Sequence, residues 1–439
     1  MTDLHGYEIL WVCFIDKCAE KFMSYSDQFL RALGELGEAG RAYRSISKKT
    51  GIPVDRLKYY NKKNIIPSGK DLQALHDAYN ISELYFQIAM GHLDMNALEV
   101  IQQNADEVFS LLSSLKKDSH VSTSKTKLDS VLKTKHGTLY QGDCIDVARN
   151  ITSDSVDMIF ADPPFNLDKL YPSKMDDNLK EEEYLKWTQS WLSECIRILK
   201  PGGSLFLWNL PVWNSKISSF LHGRLNFRHW IATDIKYSLP IQGRLYPSHY
   251  SLMYFVKGEK PNYFSPDRLP AQVCPKCYSD LKDYGGYKNK MNPLGVSLTD
   301  VWFDIPPVRH KKYKKRDGSN ELSIKLLDRI IEMSTKEGDL VFDPFGGSGT
   351  TYAVSEIKKR NWIGSEIDSC EIIKERFINI DMERDYLNEI RSKINSLFPD
   401  FIKKQRESRG LWTDETFSKQ EVKLEKKASE QFGFFDEEK

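Results

Sequence analysis

From residue 137 onward the chain repeats one pattern, a short apolar run halted by breakers and then a longer stretch of helical periodicity. Thr138-Leu139-Tyr140 runs into Gly142-Asp143, and Val156-Asp157-Met158-Ile159-Phe160 runs into Asp162-Pro163-Pro164. Ser204-Leu205-Phe206-Leu207-Trp208 follows Pro201-Gly202-Gly203. A helical stretch from Glu181 to Leu199 separates the second and third runs, and Leu340-Val341-Phe342 and Trp362-Ile363-Gly364 flank another near the far end. Strands that alternate with helices in this way predict a doubly wound α/β sheet.

The residues ahead of that pattern obey a different period. From Tyr25 to about Leu93 apolar side chains such as Phe29, Leu30, Leu33 and Leu36 recur at three- and four-residue spacings, which predicts short helices in succession. Within them, Tyr43 to Leu57 reads as a helix, a turn at Gly51 and a second helix opened by Pro53 or Asp55. Lys116 to His136 is rich in Lys, Ser and Thr and poor in large apolar groups, the composition of a solvated linker. After Phe401 the chain is charged, with little apolar periodicity. The expected organisation is a small α-helical domain at 1–115, a linker at 116–136, an α/β domain at 137–400 and a peripheral tail at 401–439.

With 40% hydrophobic and 28% charged residues, the chain has enough apolar material for a sizeable core and the composition of a soluble protein. Met1 to Leu10 lacks the basic and apolar regions of a signal peptide, and no run reaches about 18 apolar residues, so a cytoplasmic location and no membrane partner are expected. Seven scattered cysteines fit reduced thiols better than a disulfide framework. Net charge is only +1, so nucleic-acid contact must come from local clustering. One cluster qualifies: Arg309, Lys311, Lys312, Lys314, Lys315 and Arg316 place six fixed charges in one short run. Such a run can neutralise several phosphates, and it is also what a solvated loop looks like.

Two strings carry the chemistry. The first is Asp162-Pro163-Pro164-Phe165, at the end of an apolar run. The second is Asp343-Pro344-Phe345-Gly346-Gly347-Ser348-Gly349-Thr350-Thr351, a strand-to-helix turn whose glycines let backbone N–H groups approach a ligand. About 20 residues beyond Gly346, Glu366 ends the next strand, where a carboxylate can accept hydrogen bonds from both hydroxyls of a ribose. Alone, Asp-Pro-Pro-Phe could be a mere turn, and a Gly-rich turn could be structural or bind a dinucleotide.

Together the strings resemble the amino-group DNA methyltransferases, and the order, tetrad before Gly-rich loop, resembles their β class. The resemblance spans about residues 137–380. It implies a Rossmann-like, S-adenosylmethionine-dependent methyltransferase fold and no metal in catalysis. It implies a cofactor site made from the Gly-rich string with Glu366, with Asp143 toward the adenine and with Asn320 and Leu322 closing over the methionine group. Hydroxyls of Thr350 and Thr351 would reach the methionine carboxylate. In the tetrad, the Asp162 carboxylate and the Pro163 carbonyl would accept the two protons of an exocyclic amino group, Pro164 would stiffen the turn, and Phe165 would stack on a base flipped out of the duplex.

An Asp at the head of the tetrad is associated with adenine N6, whereas Phe in place of the commoner Tyr leaves cytosine N4 as the alternative. A rival of another class is a DNA-binding regulator whose methylase domain is vestigial. RNA and protein methyltransferases with related tetrads usually carry Asn at that first position.

The same resemblance makes residues 240–319 a target-recognition insertion between a catalytic half at 137–239 and a cofactor half at 320–400. The basic run lies in it, as do Asp283-Tyr284-Gly285-Gly286-Tyr287-Lys288 and Asp300-Val301-Trp302-Phe303-Asp304, candidates for groove contact. Cys274 and Cys277 have metal-type spacing but no second pair, leaving structural zinc, completed by His249 and His310, beside reduced thiols. The N-terminal helices resemble a phage-repressor helix-turn-helix that would turn Arg56, Lys58, Tyr59, Lys62 and Lys63 toward DNA; the other reading is a helical interaction or dimerisation module. The implied partners are double-stranded DNA, a cognate restriction endonuclease and a second copy of the chain.

Overall fold

The computed structural model describes residues 28–115 (save 36, 65, 68 and 94), 128–166, 179–234, 242–243, 245, 248–269, 296–305, 321–394 and 396–413. The chain divides into two compact units, residues 1–123 with 180–182, and residues 124–179 with 183–439.

The first unit is helical: α1 (Gln28–Ala32), α2 (Ala39–Thr50), α3 (Val54–Lys63), α4 (Gly69–Tyr79), α5 (Glu83–Met90), α6 (Met95–Gln103) and α7 (Ala105–Leu115). Phe29, Leu30, Ile46, Leu57, Leu75 and Phe86 meet in its core, so the three- and four-residue spacings mark the buried faces. Gly51 ends α2 in the left-handed region at φ 77°, and Pro53 caps α3, as the turn chemistry predicts. The Glu35 carboxylate ties the unit across α2 and α4, accepting from Ser45, Lys49 and Tyr79.

The second unit is an α/β sheet of nine strands: β1 (Ser130–Lys133), β2 (Gly137–Gln141), β3 (Val156–Ala161), β4 (Leu199–Asn209), β5 (Asn226–Asp234), β6 (His249–Val256), β9 (Val301–Trp302), β10 (Leu340–Asp343) and β11 (Asn361–Glu366). A separate ribbon pairs β7 (Arg268–Leu269) with β8 (Val296–Ser297). The order across the sheet is β1-β2-β11-β10-β3-β4-β6-β5-β9. The centre, β2 to β4, is parallel, with β10 inserted between β11 and β3. β6 runs antiparallel to both β4 and β5.

Both faces are covered, and the strands show why. In β3, Met158 and Phe160 enter one core while Ile159 and Ala161 enter the other; β4 and β6 divide Phe206 from Leu207 and Tyr254 from Phe255 in the same way. One layer is α8 (Cys144–Asn150), α9 (Glu181–Ile198) and α10 (Pro211–His222). The other includes α11 (Ile324–Ser334), α12 (Thr350–Ile357), α13 (Glu371–Ile378) and α14 (Ile380–Ser392). This is the Rossmann-like arrangement expected. No helix among the described residues is long and apolar enough to cross a membrane.

Three boundaries read from sequence shift. Ser130–Lys133, inside the expected linker, is a strand paired with β2. β6 and β9, placed by sequence inside the insertion, belong to the main sheet, because β4 and β5 need hydrogen-bonded neighbours that composition does not announce. Within the expected tail, α15 (Asp400–Ser408) is helical although it buries no side chain.

Candidate active site

In a parallel sheet, ligands bind beyond the carboxyl ends of the strands. β3 and β10 are adjacent and parallel, with Val341 opposite Met158 and Phe342 opposite Ile159. The tetrad continues β3 and the Gly-rich loop continues β10, so pairing brings the two strings to the same end of the sheet. β11 lies on the other side of β10 and ends in Glu366.

The loop is built by backbone and carboxylates. Asp343 is buried, and its Oδ1 accepts from the Phe345 N–H at 2.9 Å. Glu366 accepts from the Gly347 N–H at 2.6 Å and, through its other oxygen, from the Asp368 N–H at 2.9 Å. Gly346 donates to the Ser365 carbonyl, and a Cβ there would lie 3.0–3.2 Å from the Tyr352 hydroxyl, the Ser365 carbonyl and Glu366 Cβ. Gly349 opens α12 at φ 75°, where a Cβ would come within 2.8 Å of Ile373. Glycine alone suits position 349, and a Cβ at 346 would crowd its neighbours.

Burial pushes the Asp343 carboxyl well above the usual carboxylate range, and the charges of Asp162 and Glu366 add to the push against the Thr351 hydroxyl and the Phe345 N–H. Burial also raises Glu366, opposed by the backbone N–H groups of Asp368 and Gly347. Asp162 and Glu366 therefore stand near enough to Asp343 for their charges to reach it, a field suited to a cationic ligand.

Other expected cofactor residues sit as follows. The Pro344 carbonyl accepts from Ser365 at 2.7 Å, and the Phe345 ring packs on Trp187 and edge-on against Trp191, a structural placement. Asp143 is exposed and caps α8 by accepting from the Ile145 N–H at 2.7 Å. The hydroxyls of Thr350 and Thr351 are bound within the protein rather than free to serve a ligand alone: Thr350 takes a hydrogen bond from Arg376 at 2.8 Å, and Thr351 bonds to Asp343. Leu322 is half-buried and its carbonyl accepts from Thr350. Asn320 lies outside the described residues.

Sequence reasoning missed Arg376. Its guanidinium is buried and donates to the Ser348 carbonyl (3.0 Å), Ser348 Oγ (3.2 Å) and Thr350 Oγ1 (2.8 Å), while Glu383 and Glu321 balance its charge at 3.3 and 3.6 Å. An arginine in the stretch after β11 carries no sign of this in the sequence, because its partners come from three other segments.

At the tetrad, Pro163 is buried and Asp162, Pro164 and Phe165 are half-buried. The Phe165 ring lies 5.9 Å from Tyr250, which lies 5.0 Å from Trp208, a row of aromatic rings that starts in the tetrad. The Pro164 carbonyl accepts from the Tyr184 hydroxyl and the Phe165 carbonyl from Trp213 Nε1, both at 2.7 Å.

Arg56 and Lys58, expected at DNA, are exposed and ion-paired within the helical unit: Arg56 donates to Asp71 through two 3.0 Å hydrogen bonds, and Lys58 pairs with Asp55 at 3.4 Å. Two expected groove contacts are corrected. Trp302 is buried under Arg329 and Asp304 is held bidentately by the same arginine, so neither is available to a groove. Arg309, Lys311, Lys312, Lys314, Lys315, Arg316, Asp283 to Lys288, Cys274, Cys277 and His310 lie outside the described residues. Among the described residues no group of three or more His, Cys, Asp or Glu could hold a metal.

A tetrad and a glycine-lined carboxylate crevice at the ends of adjacent parallel strands define a methylase that works on amino groups. The chain belongs to the DNA methylase family, N6_N4_Mtase, whose model matches residues 156–391. It is 45% identical over 400 residues to the type II methyltransferase M.BamHI of Bacillus amyloliquefaciens, covering 90% of this chain and 94% of that protein. It is 30% identical to the type II methyltransferase M.HpaI of Haemophilus parainfluenzae over 60% of this chain and 81% of that one. The DNA adenine methyltransferase YhdJ of Escherichia coli K12 is 31% identical over 58% and 87%.

Proposed function

We propose that the chain is a site-specific modification methyltransferase that moves a methyl group from S-adenosylmethionine to an exocyclic amino nitrogen in duplex DNA. Adenine N6 is the first assignment, on the Asp that heads the tetrad and the likeness to YhdJ. Cytosine N4 is the second, on Phe165 standing where Tyr is commoner. The observation that carries the reading is the pairing of β3 with β10, which puts the Asp162 tetrad beside the Asp343 and Glu366 carboxylates.

The residues fit the cofactor. Gly346 keeps the crevice uncrowded and Gly349 admits no side chain, Glu366 stands where ribose hydroxyls would be held, and the carboxylates favour a sulfonium. Bound there, S-adenosylmethionine supplies an electrophilic methyl. The amino lone pair of a base is delocalised into its ring, and the task of the tetrad is to localise it. Asp162 and the Pro163 carbonyl accept the amino protons, favouring a tetrahedral nitrogen with its lone pair toward the methyl. Phe165 stacks on the flipped base. The basic run at 309–316 grips phosphates and makes binding salt dependent.

Likeness to M.BamHI and M.HpaI, both named type II methyltransferases, supports a restriction-modification setting with a cognate nuclease. The 400 residues matched to M.BamHI exceed the whole stretch from 124 to the last residue, so that likeness reaches into the helical unit. A homodimer is expected from the family resemblance.

The test is modification calling by single-molecule sequencing of DNA from cells expressing the intact chain or Asp162→Ala. One sequence motif carrying N6-methyladenine with the intact chain alone is the expected result; N4-methylcytosine moves the assignment to the second base. Purified Asp162→Ala is expected to lose about 100-fold or more in methyl transfer while still binding S-adenosylmethionine. Undiminished transfer by that variant sinks the mechanism.

A further inference from the structure

We propose that Tyr184 and Trp213 are positioning residues that aim the Pro163 carbonyl at the amino group, an inference that rests on the function proposed above. Between the Pro163 and Pro164 carbonyls the backbone has three torsions. The peptide bond is planar, and the ring of Pro164 locks φ. The remaining freedom is ψ of Pro164, and the carbonyl that this torsion swings is the one held by Tyr184 at 2.7 Å. The next carbonyl, of Phe165, is held by Trp213 Nε1 at 2.7 Å. Fixing both therefore fixes the direction of the Pro163 carbonyl, which accepts no hydrogen bond among the described residues.

The Tyr184 hydroxyl is itself held in a chain of donors. Asn209, fully buried at the end of β4, takes the Leu210 N–H on Oδ1 at 2.7 Å and donates from Nδ2 to the Tyr184 oxygen at 3.0 Å. With its lone pair occupied, the hydroxyl proton points at Pro164. The two rings meet at 4.5 Å with a 50° tilt, which links α9 to α10 at the clamp. The clamp acts through backbone direction, where a small misplacement of an acceptor slows the transferring step without weakening binding.

Tyr184→Phe and Trp213→Phe delete one hydroxyl and one N–H while keeping aromatic rings in place. With the full chain and a duplex carrying the methylated sequence, 2-aminopurine replacing the target base reports flipping and the natural duplex reports single-turnover transfer. Each variant is expected to transfer about tenfold or more slowly, with dissociation constants for S-adenosylmethionine and duplex and the 2-aminopurine signal within twofold of wild type. A transfer rate within twofold of wild type, or a fall in rate matched by loss of both affinities, overturns the proposal. Should one variant fail to fold, the other, on a different helix, carries the same test. Failure of the underlying reading looks different: the wild-type chain would transfer no methyl, or Asp162→Ala would transfer as fast as wild type.

Discussion

Asp343 and Glu366 are carboxyls that burial holds above their ordinary range, and this sets the sign of a pH dependence. Each binds its proton more tightly in the folded chain than in the unfolded one. Their contribution to stability is therefore fully present below the ordinary carboxylate pKa of about 4 and is lost as pH rises through the raised folded values. A cation in the crevice favours the charged forms. Binding of S-adenosylmethionine is expected to tighten as pH rises through the raised folded values and to release protons. Calorimetry in two buffers of different ionisation heat reads both quantities; pH-independent binding without proton release would show that these carboxyls do not meet the cofactor. Asp162 and Glu366 were legible in the sequence because their neighbours, two prolines and a Gly-rich turn, are rarely found together by chance. Tyr184 and Trp213 were not, since an aromatic residue in a helical stretch reads as core until its polar atom is seen to reach a carbonyl.

The stretch from the end of β10 to the start of α12 shows what a turn demands of its residues. Gly349 combines φ 75° with a hypothetical Cβ 2.8 Å from Ile373. Gly349→Ala is expected to cost about 1–3 kcal/mol in chemical unfolding and to weaken S-adenosylmethionine binding about tenfold, because the loop must shift off its N–H bonds. Wild-type affinity in that variant would mean that the turn does not shape the site. The turn and both flanking elements were legible, since glycine, proline and apolar runs act locally. Arg376, which braces Ser348 and Thr350, was hidden because its role depends on the folding of α13 back over the loop. The pair Arg56 and Asp71 has the same origin: periodicity located α3 and α4 but could not show that a lysine- and arginine-rich helix spends a charge on its neighbour.

On the scale of the molecule, ion pairs tie two points of the 240–319 stretch to the cofactor half. Asp267, just before β7, pairs with Arg391 at 2.6 Å, and Asp304, just after β9, pairs with Lys325 and Arg329 of α11. The basic run follows in the chain. Neutralising Lys311, Lys312, Lys314 and Lys315 together is expected to weaken binding to all duplexes and to lower the slope of log affinity against log salt by roughly 3–4, as filter binding across a salt series would show. An unchanged slope would take the run off the DNA. The five parallel strands at the centre, β2, β3, β4, β10 and β11, could be read from the sequence; the outer strands and the strand order could not, because nothing local says that β10 inserts between β11 and β3. That insertion also has a cost during synthesis. Until β10 and β11 emerge, β1 and β2 have no link to the remaining strands and the inner edge of β3 has no partner. About 180 residues separate β3 from β10, so at roughly 5–20 residues per second a nascent chain carries an open, apolar sheet edge for about 10–40 s, and a ribosome that stalls in that interval leaves a product primed to aggregate.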